Sequence, residues 1–204
     1  MEYKGKNIGE YGDISTFSFH ATKLFHTIEG GALIINDDSL VEKARYLINF
    51  GIANEESIPE LGINAKMNEF EAAMGLCMLD EIAEVTRSRK SIYERYKEGL
   101  DTVVAIPKLN IHANQNYAYF PIILKDESQR IAVQKALNKH KIIPRRYFYP
   151  SLDTLSYIEP KQYMPNSRDI SSRILALPMY VGLDVGEQTV VINTIRDVLK
   201  AFNG

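Results

Sequence analysis

A single cysteine, Cys77, occurs among the 204 residues. One thiol cannot close a disulfide within the chain, nor can it supply a thiolate cluster for zinc. It fits a reducing compartment, and the cytoplasm is the expected location. Cys77 sits in the apolar run Met74-Gly75-Leu76-Cys77-Met78-Leu79, which predicts a buried, inert thiol. No apolar run approaches the roughly 20 residues that span a bilayer, and the polar opening residues hold no secretory h-region. The net charge of -2 carries no electrostatic footprint for nucleic acid or an anionic membrane surface, so neither is expected as a partner. No two of His20, His26, His112 and His140 have the i, i+4 spacing of a helical zinc site, and no metal is expected. There is no P-loop, no Gly-x-Gly-x-x-Gly, no low-complexity segment and no internal repeat. What remains is an ordinary composition, 45% hydrophobic and 25% charged, enough for one sizeable domain or two small ones.

The stretch around which the chain is organised runs over 15–36. Ser15 to Phe19 alternates small polar with aromatic residues, the period of a half-buried strand. Ala32 to Ile35 is a short apolar run, which predicts a buried strand. Between them lies Lys23, flanked by Ala21, Thr22, Leu24 and Phe25, so partial desolvation of its amine is expected. Desolvation disfavours an ammonium, and a free amine attacks carbonyl carbon. Ser18, five residues earlier at a strand end, offers a hydroxyl to an anion. Gly30 and Gly31 permit positive φ and close approach of the backbone to another group. On composition and spacing alone, a plain surface lysine between two strands is the default reading.

Downstream, Leu40, Ala44, Leu47 and Ile48 recur at helical spacing over 39–49 behind the N-cap candidates Asp37, Asp38 and Ser39, and Gly51 stops the run. A polar loop covers 55–60. Asn64 then shapes a loop, with Asn68 the cap of the next helix. From Met67 onward Phe70, Ala73, Met74, Cys77 and Met78 mark one face, widened by Ala72, Gly75 and Leu76, so that helix is expected to be buried nearly all round. A second amphipathic run over 80–100 reads as a long helix bent near Glu81 and ended by Gly99. The second half predicts a polar loop over 107–116, a strand over 117–124 with Pro121 at an edge or bulge, and a helix over 128–141 capped by Ser128. The apolar face of that helix carries Ile131, Ala132, Ala136 and Leu137. A strand and loop over 142–150 follow, then helices over 167–176 and 184–202, an α/β arrangement. In Arg145-Arg146-Tyr147-Phe148-Tyr149-Pro150, paired arginines suit phosphate and tyrosines stack on sugar or base. A solvated arginine pair at a strand end is the alternative.

Three of these stretches carry a resemblance. Phe17-Ser18-Phe19-His20-Ala21-Thr22-Lys23 followed by Glu29-Gly30-Gly31 resembles the lysine segment of the sugar aminotransferases of DegT/DnrJ/EryC1/StrS type. These are pyridoxal 5'-phosphate enzymes of the aspartate aminotransferase-like fold type I. The wording Ala-Thr-Lys-Leu-Phe-His-Thr-Ile-Glu-Gly-Gly is similar to the subgroup acting on dTDP-linked keto-6-deoxyhexoses. Leu61-Gly62-Ile63-Asn64-Ala65-Lys66-Met67-Asn68-Glu69 resembles the family's Gly-x-Asn-x-Arg-Met-x-Glu, with Lys66 where Arg is common. The Arg-Tyr-Phe-Tyr-Pro wording resembles the small-domain edge of the active site. The likeness runs from about Tyr3 to the C-terminus.

The resemblance implies an α/β fold comprising the C-terminal part of a large cofactor-binding domain, residues 1–85, and a small α/β domain, residues 86–204. It implies Lys23 as the Schiff-base lysine and Ser18 as a ligand of the cofactor phosphate. It also implies that Asn64 reaches the phosphate of a neighbouring subunit, hence a homodimer with a shared site. His20, Arg146 and Tyr147 are the implied substrate contacts, with His20 alternatively packing beside the cofactor without proton transfer. The implied reaction passes an amino group, from glutamate, to a nucleotide-linked keto-deoxysugar in sugar or cell-surface polysaccharide biosynthesis. Lysine at position 23 separates the chain from a related dehydratase branch that carries histidine there. In the family a large N-terminal portion, including the carboxylate that faces the pyridine nitrogen, precedes the matched region. The chain is therefore expected to be part of a longer enzyme, inactive and poorly soluble or abnormally associated by itself. The competing expectation is a truncated, inactive remnant or an interaction module.

Overall fold

A computed structural model describes residues 1–203; Gly204, the last residue of the expected small domain, lies outside them. The chain divides into two compact units. One comprises residues 1–84 with 110–116, the other 85–109 with the residues from 117 onward.

The first unit opens with a short hairpin, β1 (Glu2–Tyr3) and β2 (Lys6–Asn7). β3 (Ile14–Ser18) then pairs antiparallel with β4 (Gly31–Ile35), Ser18 opposite Gly31 and Ile14 opposite Ile35. Alternation holds in β3, where Ser15 and Phe17 are half-buried and their neighbours exposed. β4 is not the buried strand its apolar run predicts: Leu33 and Ile34 are both exposed. Strand side chains alternate faces, and the described residues of this unit layer little onto a sheet two strands wide. Asp37 caps a 3₁₀ turn, accepting from the Ser39 N–H at 2.9 Å, and α1 (Val41–Ile48) follows. α1 ends as Phe50 and Gly51 take positive φ and the Gly51 N–H reaches the Tyr46 carbonyl at 2.7 Å. A Cβ on Gly51 would lie 1.6 Å from the Glu60 carbonyl oxygen. Only a glycine lets these two segments cross.

α2 (Glu69–Leu100) is one uninterrupted helix with no break near Glu81. Asn68 and Glu71 form a reciprocal cap, at 3.0 and 3.3 Å. Its first turns are not buried all round: Phe70 is 87% exposed, Leu76 66%, and Cys77 is exposed rather than an inert core thiol. The contact with the rest of the unit is a narrow stripe at Gly75, whose Cβ would meet the Thr27 methyl at 3.0 Å. The remaining apolar circumference has no layer from this unit upon it. Gly99 lies inside the helix instead of ending it. Its missing side chain admits Ile192, which a Cβ would meet at 2.8 Å.

The second unit has a closed core. Ile92, Tyr93, Tyr96 and Leu100 of α2 pack with β5 (Phe120–Ile123), β6 (Ile174–Leu177), α3 (Glu127–Lys139) and α5 (Val185–Asn203). β5 and β6 are antiparallel, Phe120 opposite Leu177, and isolated bridges from Ala105 to Ile123 and from Arg145 to Ala176 extend the ladder on both sides. The strand expected over 117–124 is confined to these four residues of β5. The cap of α3 is Asp126, not Ser128, accepting from the Gln129 N–H at 2.9 Å. Val133 and Leu137 face the core, while Ile131 is exposed. α4 (Pro165–Arg173) stops short of the expected 176, because Ile-Leu-Ala-Leu at 174–177 is taken into the sheet as β6. Among the described residues no helix is long and apolar enough to cross a membrane.

Between Arg145 and α4 the chain is pinned by a carboxylate. Asp153 accepts from the Ser151 hydroxyl, from the Met164 N–H at 3.0 Å and from Arg168 Nε at 2.6 Å. The Ser151 hydrogen bond first, then the Met164 N–H and the Arg168 guanidinium, hold its carboxyl at about 2, against the opposing effect of burial. A depressed folded-state pKa stabilises above the unfolded value, and the stability is lost as pH falls through the folded one. Denaturant titrations between pH 4 and pH 2 should therefore show a stability loss that Asp153→Asn flattens. An unchanged pH slope in the variant would contradict this assignment.

Candidate active site

The loop joining β3 to β4 is held by its own backbone. The Phe19 N–H donates to the Gly30 carbonyl and the Thr27 N–H to the Phe19 carbonyl, both at 2.9 Å, and the Lys23 N–H closes a turn on the His20 carbonyl at 2.9 Å. Phe25 packs edge-on to Phe19 at 4.9 Å. Thr27 is buried, its hydroxyl donating to the Glu29 carbonyl. The glycine pair is demanded by space. Gly30 has φ +145°, and a Cβ there would lie 2.4 Å from Thr27 Oγ1 and 2.9 Å from Met67 Cε. On Gly31 it would lie 2.7 Å from the Phe17 carbonyl oxygen.

This framework presents Lys23 at the surface, and nothing among the described residues engages its ammonium. The expected partial desolvation is not found within the unit: Lys23 is exposed, and Phe25, one of its four flanking residues, turns to Phe19. Ser18 is exposed at the end of β3. Its oxygen accepts a long bond from the His20 N–H, 3.5 Å, which leaves the hydroxyl proton free to donate. His20 is a brace. Nδ1 accepts the Thr22 N–H at 3.1 Å and lies 2.9 Å from Thr22 Oγ1, while Nε2 faces the Glu29 carboxylate at 3.5 Å.

Asn64 lies on another segment of the same unit, where 63–65 runs beside the end of α1. Ile63 N–H donates to the Leu47 carbonyl at 2.8 Å and Ala65 N–H to that of Ile48 at 2.9 Å. Asn64 is exposed. Its side-chain oxygen accepts from Lys66 Nζ at 3.0 Å, and the same ammonium donates to Asn49 Oδ1 at 2.9 Å.

In the second unit Arg146 turns inward. Its guanidinium sits 3.4 Å from the centre of the Tyr149 ring, with Glu127 at 3.7 Å and with Nε and Nη2 buried. Arg145 is the exposed arginine, donating to the Tyr147 hydroxyl at 2.5 Å. Tyr147 stacks on Phe148, 4.7 Å and 23°, and meets Tyr119 edge-on at 5.7 Å. Arg145, read in the sequence as one of an arginine pair suited to phosphate, was not among the implied substrate contacts, and neither were Phe148 and Tyr119. Arg145 and Phe148 flank the residues that were, but the approach of Tyr119 depends on tertiary structure. A cavity of about 670 Å³ beneath Leu152, Ile158, Pro160 and Met164 contains none of the expected site residues.

The chain belongs to the DegT/DnrJ/EryC1/StrS aminotransferase family, whose model matches residues 1–196. It is 35% identical over 196 residues to a dTDP-4-amino-4,6-dideoxy-D-glucose transaminase of Shigella dysenteriae, covering 92% of this chain and 53% of that protein. It is 30% identical to a GDP-perosamine synthase of Escherichia coli O157:H7, covering 94% and 53%. Among solved structures it is similar to the aminotransferase TlmJ from Streptoalloteichus hindustanus, with TM-score 0.91, 27% identity, all of this chain and 56% of that one. It is also similar to DesI determined with its TDP-sugar product, with TM-score 0.87, 30% identity, 97% and 52%. The fold is thus the α/β fold type I of these aminotransferases. The chain spans about half the length of the curated relatives it matches.

The glycine geometry makes a direct test. Gly30→Ala adds a clash to an unfavourable φ and should destabilise the first unit by about 1–3 kcal/mol. Gly12→Ala, at φ +72° in open space, carries backbone strain alone. Urea denaturation should rank Gly30→Ala as the more damaging, and equal effects would contradict the close packing at Thr27.

Proposed function

We propose that this chain acts within the complete enzyme to transfer an amino group from glutamate to a nucleotide-linked keto-deoxysugar, with pyridoxal 5'-phosphate as cofactor. The observation that carries the reading is the exposed, unengaged amine of Lys23 on a loop braced at Ser18, His20, Thr27 and Gly30. The donor set fits such a group: Ser18 and Asn64 are uncharged donors suited to phosphate oxygens, and Lys23 supplies an amine for an aldehyde carbon. The cofactor, when bound, supplies an electron sink for charge developing on the substrate carbon. Ser18 Oγ–H and the Asn64 amide would hold the phosphate, Asn64 across the interface of a homodimer. Lys23 Nζ would hold the aldehyde carbon at rest and, once free, would take a proton from the amine-bearing carbon of glutamate and give one to the carbonyl carbon of the sugar.

Residues 1–85 are read as part of the large domain and 86–204 as the small one. Tyr147 is assigned to the substrate, while Arg146, drawn back onto Tyr149, supports that edge from behind. The relatives named for dTDP- and GDP-linked sugars support a nucleotide-sugar substrate, and a dTDP-keto-6-deoxyhexose suits the Shigella likeness best. A cytoplasmic location agrees with the lone thiol.

In the complete enzyme, amino transfer from glutamate to a dTDP-linked keto-6-deoxyhexose should be abolished by Lys23→Ala. Lys23→Arg should not restore it, since a guanidinium keeps its proton at working pH. Turnover by Lys23→Ala within about tenfold of the unaltered protein would overturn the mechanism, the residual transfer then needing no amine at this position.

A further inference from the structure

An ammonium has three donors and no acceptor, so a carboxamide beside it must present oxygen. Lys66 Nζ meets two such oxygens, Asn49 Oδ1 at 2.9 Å and Asn64 Oδ1 at 3.0 Å, and lies 4.3 Å from the centre of the Phe50 ring. Asn49 closes α1 and is bridged to Asn64 through the backbone. The ammonium is therefore anchored on the α1 side by Asn49 and by the ring face of Phe50, a favourable seat for a cation. On its other side it takes the Asn64 oxygen, which leaves the Asn64 amino group turned away from the positive charge. That group donates to no other residue among those described.

We propose that Lys66 is a positioning residue, whose ammonium holds the Asn64 carboxamide in the one orientation that offers its NH₂ to a phosphate monoester. The inference rests on the reading of Asn64 as a phosphate ligand. An unheld asparagine would present its acceptor oxygen to the anion about as readily as its donor, because the two ends of the amide have the same shape. The ammonium removes that degeneracy and adds a positive charge one hydrogen bond behind the donor. Arginine can take the same part, since its fork also reaches two oxygens and its plane stacks on an aromatic ring.

The test uses two readouts. Pyridoxal phosphate is titrated into the protein and into Asn64→Ala, Lys66→Met, Lys66→Arg and the Asn64→Ala/Lys66→Met double variant. Lys66→Met should raise the dissociation constant about tenfold, the lower range for losing a bond to a charged group. The double variant should bind no more weakly than Asn64→Ala, and Lys66→Arg should restore binding. Independently of cofactor, the Asn64 side-chain amide should lose order in NMR relaxation when Lys66 becomes Met. If Asn64→Ala leaves affinity unchanged, the phosphate reading fails, and the relaxation measurement alone decides whether Lys66 orients the amide. If Asn64→Ala weakens binding but Lys66→Met leaves affinity and amide order unaltered, or if the two losses add, the positioning role is overturned.

Discussion

The first unit depends on a close approach that leaves no room for a side chain. Gly30 lies against Thr27 and Met67, and Gly31 against the Phe17 carbonyl. That approach lets the loop fold back on the end of β3, buries Thr27, and joins the loop to α2 through the Thr27 methyl and Gly75. The Lys23 side chain is exposed while its origin is fixed, because the backbone bonds at Phe19, His20 and Thr27 fix the turn that carries it.

The two units distribute apolar surface differently. In the second, Tyr96, Phe120, Leu137, Leu175 and Ile195 are fully buried, and the core is closed. In the first, Leu61, Phe70, Ile58 and Leu76 stand in the open. Leu61 lies on the segment that carries Asn64, and Phe70 and Leu76 lie on the first turns of α2.

Much of this was legible from local pattern. The alternation of Ser15 to Phe19, the stop at Gly51, the cap at Asn68 and the closing helix all depend on residues within a turn or two of each other. The failures have a common physical origin. Apolar periodicity states which side chains favour burial but not whether a layer is present to bury them, so β4, the first turns of α2 and Cys77 were all expected inside. The cap at Asp126 and the early end of α4 turn on competition between adjacent candidates: Asp126 against Ser128, and strand pairing at 174–177 against one more helical turn. The loop lysine, Ser18 and Asn64 could be picked out only through resemblance, because uncharged donors and a surface lysine have no distinctive spacing of their own. The orientation of Asn64 by Lys66 was invisible, since it arises between segments that meet only in the folded chain.

The central claim is that Lys23 is the amine that receives the cofactor. The most direct measurement is reductive trapping: the protein is incubated with pyridoxal phosphate, treated with borohydride and digested, and the modified lysine is identified by mass spectrometry. The account predicts the phosphopyridoxyl group on the peptide containing Lys23, at near-stoichiometric yield and at limiting cofactor. Label spread over other surface lysines, or concentrated at one of them with Lys23 unmodified, would contradict it.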